Sequence, residues 1–178
     1  MNRTLLIATF LLLAPSVRAA DDPDAAFQEL ASREAKDGNE YVSEWWSANL
    51  DNDPALEHVA VLCPNDKDDH KGYFLIDKDP THRWELTFDF DSRTDKCKGK
   101  PATPPKMEQR KTNAIELRQD HLKGYEITWY ALRVGQVVIV KEETSDGGKP
   151  EVKDWDQLIK KKKAKAYQAP ENLRPLNP

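Results

Sequence analysis

The chain has 178 residues, 38% of them apolar, with 27 basic and 31 acidic side chains and two cysteines. That balance fits one globular domain and excludes a collagen, a coiled coil and a disulfide-dense miniprotein. The formal charge of −4 argues against a general phosphate-backbone binder, so no nucleic acid partner is expected.

Residues 1–19 read as a secretory signal peptide. Arg3 precedes an apolar run over 5–14, and the small side chains of Val17 and Ala19 sit three and one positions before the expected cut. The run is far shorter than the roughly 18 to 20 residues that span a bilayer, and no later segment is long enough. Cleavage takes two of the 27 basic groups, Arg3 and Arg18, leaving 25 against 31 and a formal charge of −6. The expected location is exported, periplasmic or extracellular, and the short leader and missing N-x-[ST] acceptor after residue 19 point to a bacterium.

After Asp22 and Pro23, the spacing of Phe27, Leu30 and Ala31 predicts a helix that stops at Asp37 and Gly38. Short apolar runs between turn residues then predict about seven strands, at 41–48, 58–63, 72–77, 83–90, 114–119, 124–133 and 136–141. In 83–90, Trp84, Leu86, Phe88 and Phe90 alternate with polar residues, so one face meets water. Residues 58–63 and 136–141 are apolar on both faces and are expected to be central. Asp154 reads as the cap of a helix on which Trp155, Leu158 and Ile159 dock while Lys160, Lys161, Lys162 and Lys163 face out. The expected fold is α+β, a mainly antiparallel sheet with an N-terminal and a C-terminal helix. Residues 20–167 form its single domain, and 168–178, with three prolines, form a disordered tail.

Two cysteines in an exported chain make a Cys63–Cys97 disulfide the default pairing, worth on the order of 3 to 4 kcal/mol for a closed loop of this size. The competing reading, a Cys–His metal or nucleophile site, has no C-x-x-C spacing behind it. His58, His70, His82 and His121 fall in no H-x-x-x-H pattern, and no nucleophile-elbow, P-loop or dinucleotide motif occurs.

The most informative stretch is 49–57, between two predicted strands. Asn49, Asp51, Asp53 and Glu57 place side-chain oxygens at its first, third, fifth and ninth positions, with the Ala55 carbonyl available to fill a gap. Calcium requires about six to eight oxygen ligands, and a tight loop converges alternate carboxylates on one point. This stretch resembles the calcium loop of the FG-GAP and VCBS repeat families, whose D-x-[DN]-x-D-G-x-x-D pattern also lies between strands. The resemblance implies that calcium is the cofactor and that Asn49, Asp51, Asp53, Ala55 and Glu57 are its ligands. A single copy implies no propeller, and Pro54 stands where the families carry glycine.

Trp45 with Trp46, and Trp129 with Tyr130, each place one ring inward and one outward on a strand. An outward ring stacks on sugar or on a partner, or lies under a helix carrying Phe27 or Trp155. Lys160, Lys161, Lys162 and Lys163, with Lys165, form a basic cluster that either faces solvent or meets an anionic surface. The resulting reading is a non-catalytic exported binding or structural module, calcium-stabilised, with an unidentified protein or glycan partner. The alternative is an inhibitor or neutraliser of another exported protein acting through the acidic loops of 65–95, and behind it a weak hydrolase using paired carboxylates such as Asp68 and Asp69.

Overall fold

The computed structural model describes residues 23–51, 53–66, 68–90, 97, 100–101 and 114–176. The expected leader, residue Asp22 and most of the 91–113 connector lie outside the described residues. Helix α1 spans Pro23–Asp37 and is followed by β1 (Glu40–Ala48), β2 (Glu57–Pro64), β3 (Lys71–Asp79) and β4 (His82–Asp89). The second half holds β5 (Lys100–Pro101), β6 (Ile115–His121), β7 (Gly124–Arg133), β8 (Gln136–Ser145), β9 (Glu151–Asp154), α2 (Trp155–Lys160) and β10 (Leu173–Pro175).

Among the described residues the strands form two five-stranded sheets, ordered β1-β2-β3-β4-β10 and β5-β6-β7-β8-β9, with antiparallel pairing throughout. This corrects the expectation of one sheet with about seven strands. Period-2 patterning reports which face of a strand is buried but not which sheet it joins. The main core lies between the sheets: Val59, Val61, Phe74, Ile76, Leu86 and Phe88 from the first meet Ile115, Leu117, Tyr130, Leu132, Val137 and Ile139 from the second. Such sheet-on-sheet packing interdigitates two inner faces about 10 Å apart.

Helix α1 covers the outer face of the first sheet. Phe27, Leu30, Ala31 and Ala35 recur on one side of it and pack on Ala60, Leu62 and Leu75. The doubly apolar β2 is therefore central and covered on both sides, as its sequence predicts. On the outer face of the second sheet, Ala131, Val138 and Val140 form a smaller cluster with Trp129 and Tyr167. The disulfide between Cys63 and Cys97 is formed and both residues are buried.

Two expectations about the C-terminal region are corrected. Helix α2 is short and not terminal: Asp154 caps it by accepting from the Gln157 N–H at 2.9 Å, Trp155 packs partly against the main core, and Lys160 to Lys163 are exposed. Where a loose tail over 168–178 is expected, residues 168–176 form a strap across both sheets, and 177–178 lie outside the described residues. The Gln168 carbonyl accepts from the Ile139 N–H at 2.9 Å, the Asn172 carbonyl from the Thr87 N–H at 3.2 Å, and β10 then pairs with β4. Leu173 and Leu176 pack against the two core clusters, so burial of these side chains offsets the lack of periodicity. No helix among the described residues is long and apolar enough to cross a membrane.

Candidate metal centre in the β1–β2 loop

Ala48 and Glu57 are cross-strand partners, so residues 49–56 leave β1 and return beside it. Leu50 anchors the excursion: its side chain is 1% exposed in the main core, and its carbonyl accepts from the Leu132 N–H at 3.0 Å on the second sheet. Local polar turns close the remainder. The Asp51 carboxylate accepts from the Asp53 N–H at 2.9 Å, and the Asp53 carboxylate accepts from the Ala55 N–H at 2.8 Å. The Asn49 side-chain amide donates to the Asp53 carbonyl. None of the described loop residues takes a positive φ, so these side-chain-to-backbone bonds turn the chain without a glycine in place of Pro54.

The turns bring carboxylate oxygens of Asp51, Asp53 and Glu57 within 4.8 Å of one another. Asn49 and Ala55, the other two residues of the expected ligand set, act here as hydrogen-bond donors to Asp53. Glu57 is 1% exposed, and its Oε2 accepts from the Leu50 N–H at 2.6 Å. Its Oε1 is buried and has no hydrogen-bond partner among the described residues. A buried carboxylate oxygen without a donor is costly, and a hard cation is the ligand that three clustered carboxylates without nitrogen or sulfur would take. The cluster of Asp51, Asp53 and Glu57 could therefore hold a metal ion, and its all-oxygen donors suit a hard one.

Lys78 is the component that the sequence does not signal. In the β3–β4 pairing Asp77 faces Arg83 and Asp79 faces His82, so Lys78 is the extra residue of a bulge. A bulge re-aims its side chain, and here the ammonium is bonded to Asp51 and lies 3.2 Å from Asp53. Burial pushes the Asp51 carboxyl up, but the hydrogen bonds and charge of Lys78 and the Asp53 N–H outweigh it and leave Asp51 below the usual carboxylate range. Burial keeps Glu57 above that range, opposed by the Leu50 N–H and reinforced by the Asp51 charge. The bond to Asp51 is the main reason Lys78 holds its proton more tightly than usual.

A second polar cluster joins the start of α1 to the first sheet. Ser47 Oγ lies 3.0 Å from His58 Nδ1 and 3.1 Å from Asp24 Oδ1, while His58 Nδ1 is also 3.4 Å from Asp24. A hydrolytic triad requires the serine and the acid on opposite ring nitrogens. Both partners here converge on Nδ1 and the imidazole stacks on Phe27 at 5.1 Å, an arrangement that pins the helix. Phe27 also lies 6.4 Å from Trp45, giving that outward ring its cover, while Trp46 turns inward onto Phe74. Comparison with protein-family models, with curated proteins and with solved structures gives no match.

Proposed function

We propose that the chain is a non-catalytic exported binding or structural module in which the β1–β2 loop takes up calcium as a structural ion. The observation that carries this reading is the buried Glu57, whose carboxylate clusters with those of Asp51 and Asp53 and whose Oε1 has no hydrogen-bond partner among the described residues. Asp51, Asp53 and Glu57 would hold the ion, which when bound supplies the positive charge that the three carboxylates lack among themselves. The formed disulfide supports the exported location. Likeness to a single FG-GAP or VCBS calcium loop remains part of the proposal and rests on oxygen spacing with Pro54 in place of glycine.

The ion's role is to fasten two layers together. Leu50 donates to Glu57 through its N–H and accepts from the second sheet through its carbonyl, so an ion at Glu57 steadies the contact between sheets. Thermal unfolding of residues 20–178 in millimolar calcium and in chelator tests the reading, with Asp51→Ala/Asp53→Ala as control. An ion that binds only the folded state adds about 2.7 kcal/mol at roughly 100-fold excess over its Kd. A calcium-dependent rise in the midpoint that the double variant lacks is expected; identical midpoints with calcium and with chelator would reduce the loop to a turn.

A further inference from the structure

The carboxylate cluster of the β1–β2 loop already contains a cation belonging to the chain. The Lys78 ammonium bridges one oxygen each of Asp51 and Asp53, backbone N–H groups serve Asp51 Oδ1, Asp53 Oδ1 and Glu57 Oε2, and Glu57 Oε1 is left without a donor among the described residues. We propose that Lys78 is the resident counter-ion of this loop and that calcium enters by displacing it, which makes the site an exchanger between an internal monovalent cation and an external divalent one. The inference rests on the calcium reading above and specifies how that site is regulated.

Three features carry it. Lys78 is delivered by a β-bulge, so its aim at the carboxylates follows from a defined irregularity of β3 and not from a chance surface rotamer. Its side chain is 26% exposed, and a flexible four-carbon stem gives the ammonium a short path to solvent without moving the strand. The two cations also compete for the same oxygens, because the Asp51 and Asp53 carboxylates that bond Lys78 are two of the three clustered groups. An ammonium offers three donors and cannot be coordinated, whereas calcium takes six to eight oxygens and can use the buried Glu57 Oε1 as well.

Competition for the same Asp51 and Asp53 oxygens, and not net charge, favours exchange over coexistence, since both cations together would bring three ionised carboxylates to neutrality. With all three carboxylates ionised, Lys78 leaves the cluster at a net −2, and calcium in its place leaves −1. Two cations packed among the same three carboxylates would repel each other at contact distance. Occupancy by calcium should therefore free the Lys78 side chain, and removal of Lys78 should open the site.

The test is calorimetric titration with calcium chloride, together with thermal unfolding, of residues 20–178 as wild type and as Lys78→Gln. In chelator, Lys78→Gln should melt below wild type, because Asp51 and Asp53 lose their counter-ion. In millimolar calcium the deficit should vanish, and the variant should bind calcium about tenfold more tightly, equivalent to ~1.4 kcal/mol. If the wild type binds calcium and Lys78→Gln binds no more tightly, the exchange inference fails while the calcium site stands. If neither protein binds calcium, the calcium site itself fails and exchange falls with it.

The wild type supplies a second readout, independent of whether the variant folds. The Lys78 ammonium signal in nitrogen-detected magnetic resonance should be protected in chelator and move to the position of a free lysine as calcium is added. A signal that stays in place while calcium binds would overturn the inference.

Discussion

Arg133 of the second sheet donates to the Leu50 carbonyl of the β1–β2 loop at 3.1 Å, although 83 positions separate them in the chain. The same guanidinium donates to the Leu132 carbonyl at 2.8 Å and pairs with Asp156 at 3.1 Å. Asp156 in turn accepts from the Tyr167 hydroxyl at 2.7 Å. One largely buried arginine thus gathers the loop, the end of β7 and the start of α2 at a single corner, the corner that carries the carboxylate cluster.

Arg133→Lys keeps the charge but loses the planar fork that serves three acceptors at once. A loss of about 1 to 2 kcal/mol is expected, seen as a lower urea midpoint with an unchanged slope. An unchanged midpoint would show that the Leu132 N–H alone holds the Leu50 carbonyl.

The β7–β8 hairpin turns through Val134 at φ 54° and Gly135 at φ 73°, so both central residues occupy the left-handed region that a type I′ turn demands. Valine is a poor occupant, because its branched Cβ crowds the backbone there, and its side chain is 99% exposed and gains no burial in return. Val134→Asn should raise stability by about 1 kcal/mol, measured as a higher melting temperature. A fall would mean that the valine side chain makes a compensating contact in solution.

The Cys63–Cys97 bridge joins β2 to the far side of a segment of sequence separation 34. Replacing both cysteines by alanine should cost on the order of 3 to 4 kcal/mol through the regained freedom of the unfolded chain. Unfolding of the oxidised protein with and without reductant should give a similar gap, whereas equal midpoints would assign the stability to the sandwich core alone.

Glu40 begins β1 beside a groove that Lys36 also lines. Burial raises its carboxyl from the usual 4.5 to about 7, with the charges of Glu85 on β4 and of Asp69 in the β2–β3 loop adding to the effect. Tyr73 on β3 and Arg174 on β10, which pairs with Glu85, complete the charged and titratable surroundings. Because the folded state holds this proton more tightly than the unfolded one, the contribution is present below pH 4.5 and is lost as pH rises through about 7. Glu40→Gln should therefore match wild type near pH 4 and exceed it at pH 8 by on the order of 1 to 2 kcal/mol after solvent screening. Parallel stability curves across that range would remove Glu40 as the source of any pH dependence.

The sequence made α1 legible because Phe27, Leu30 and Ala31 repeat at helical spacing, and the helix does span Pro23–Asp37. It made β2 and β4 legible for the same kind of reason: β2 is apolar on both faces, and β4 alternates Trp84, Leu86 and Phe88 inward with Arg83, Glu85 and Thr87 at the surface. Strands β9 and β10 escaped notice, since Glu151–Asp154 carries mostly charged side chains and Leu173–Pro175 is three residues long beside Pro170. Short edge strands gain their stability from neighbours and not from a pattern of their own. In the loop, oxygen spacing pointed to Asp51, Asp53 and Glu57, but Lys78 could not be read, because its position depends on the pairing of β3 with β4.

The strap of residues 168–176 sets an order of events in time. β10 follows every other strand in the sequence, yet it lies on the outer edge of β4, 87 positions upstream between Leu173 and Leu86. Until it arrives, β4 offers an open row of backbone groups that any extended chain can pair with. The first sheet is therefore complete only once residues 173–175 have been made and have paired with β4. Nicking or shortening the strap after that point would uncover the edge of β4 as a template for aggregation.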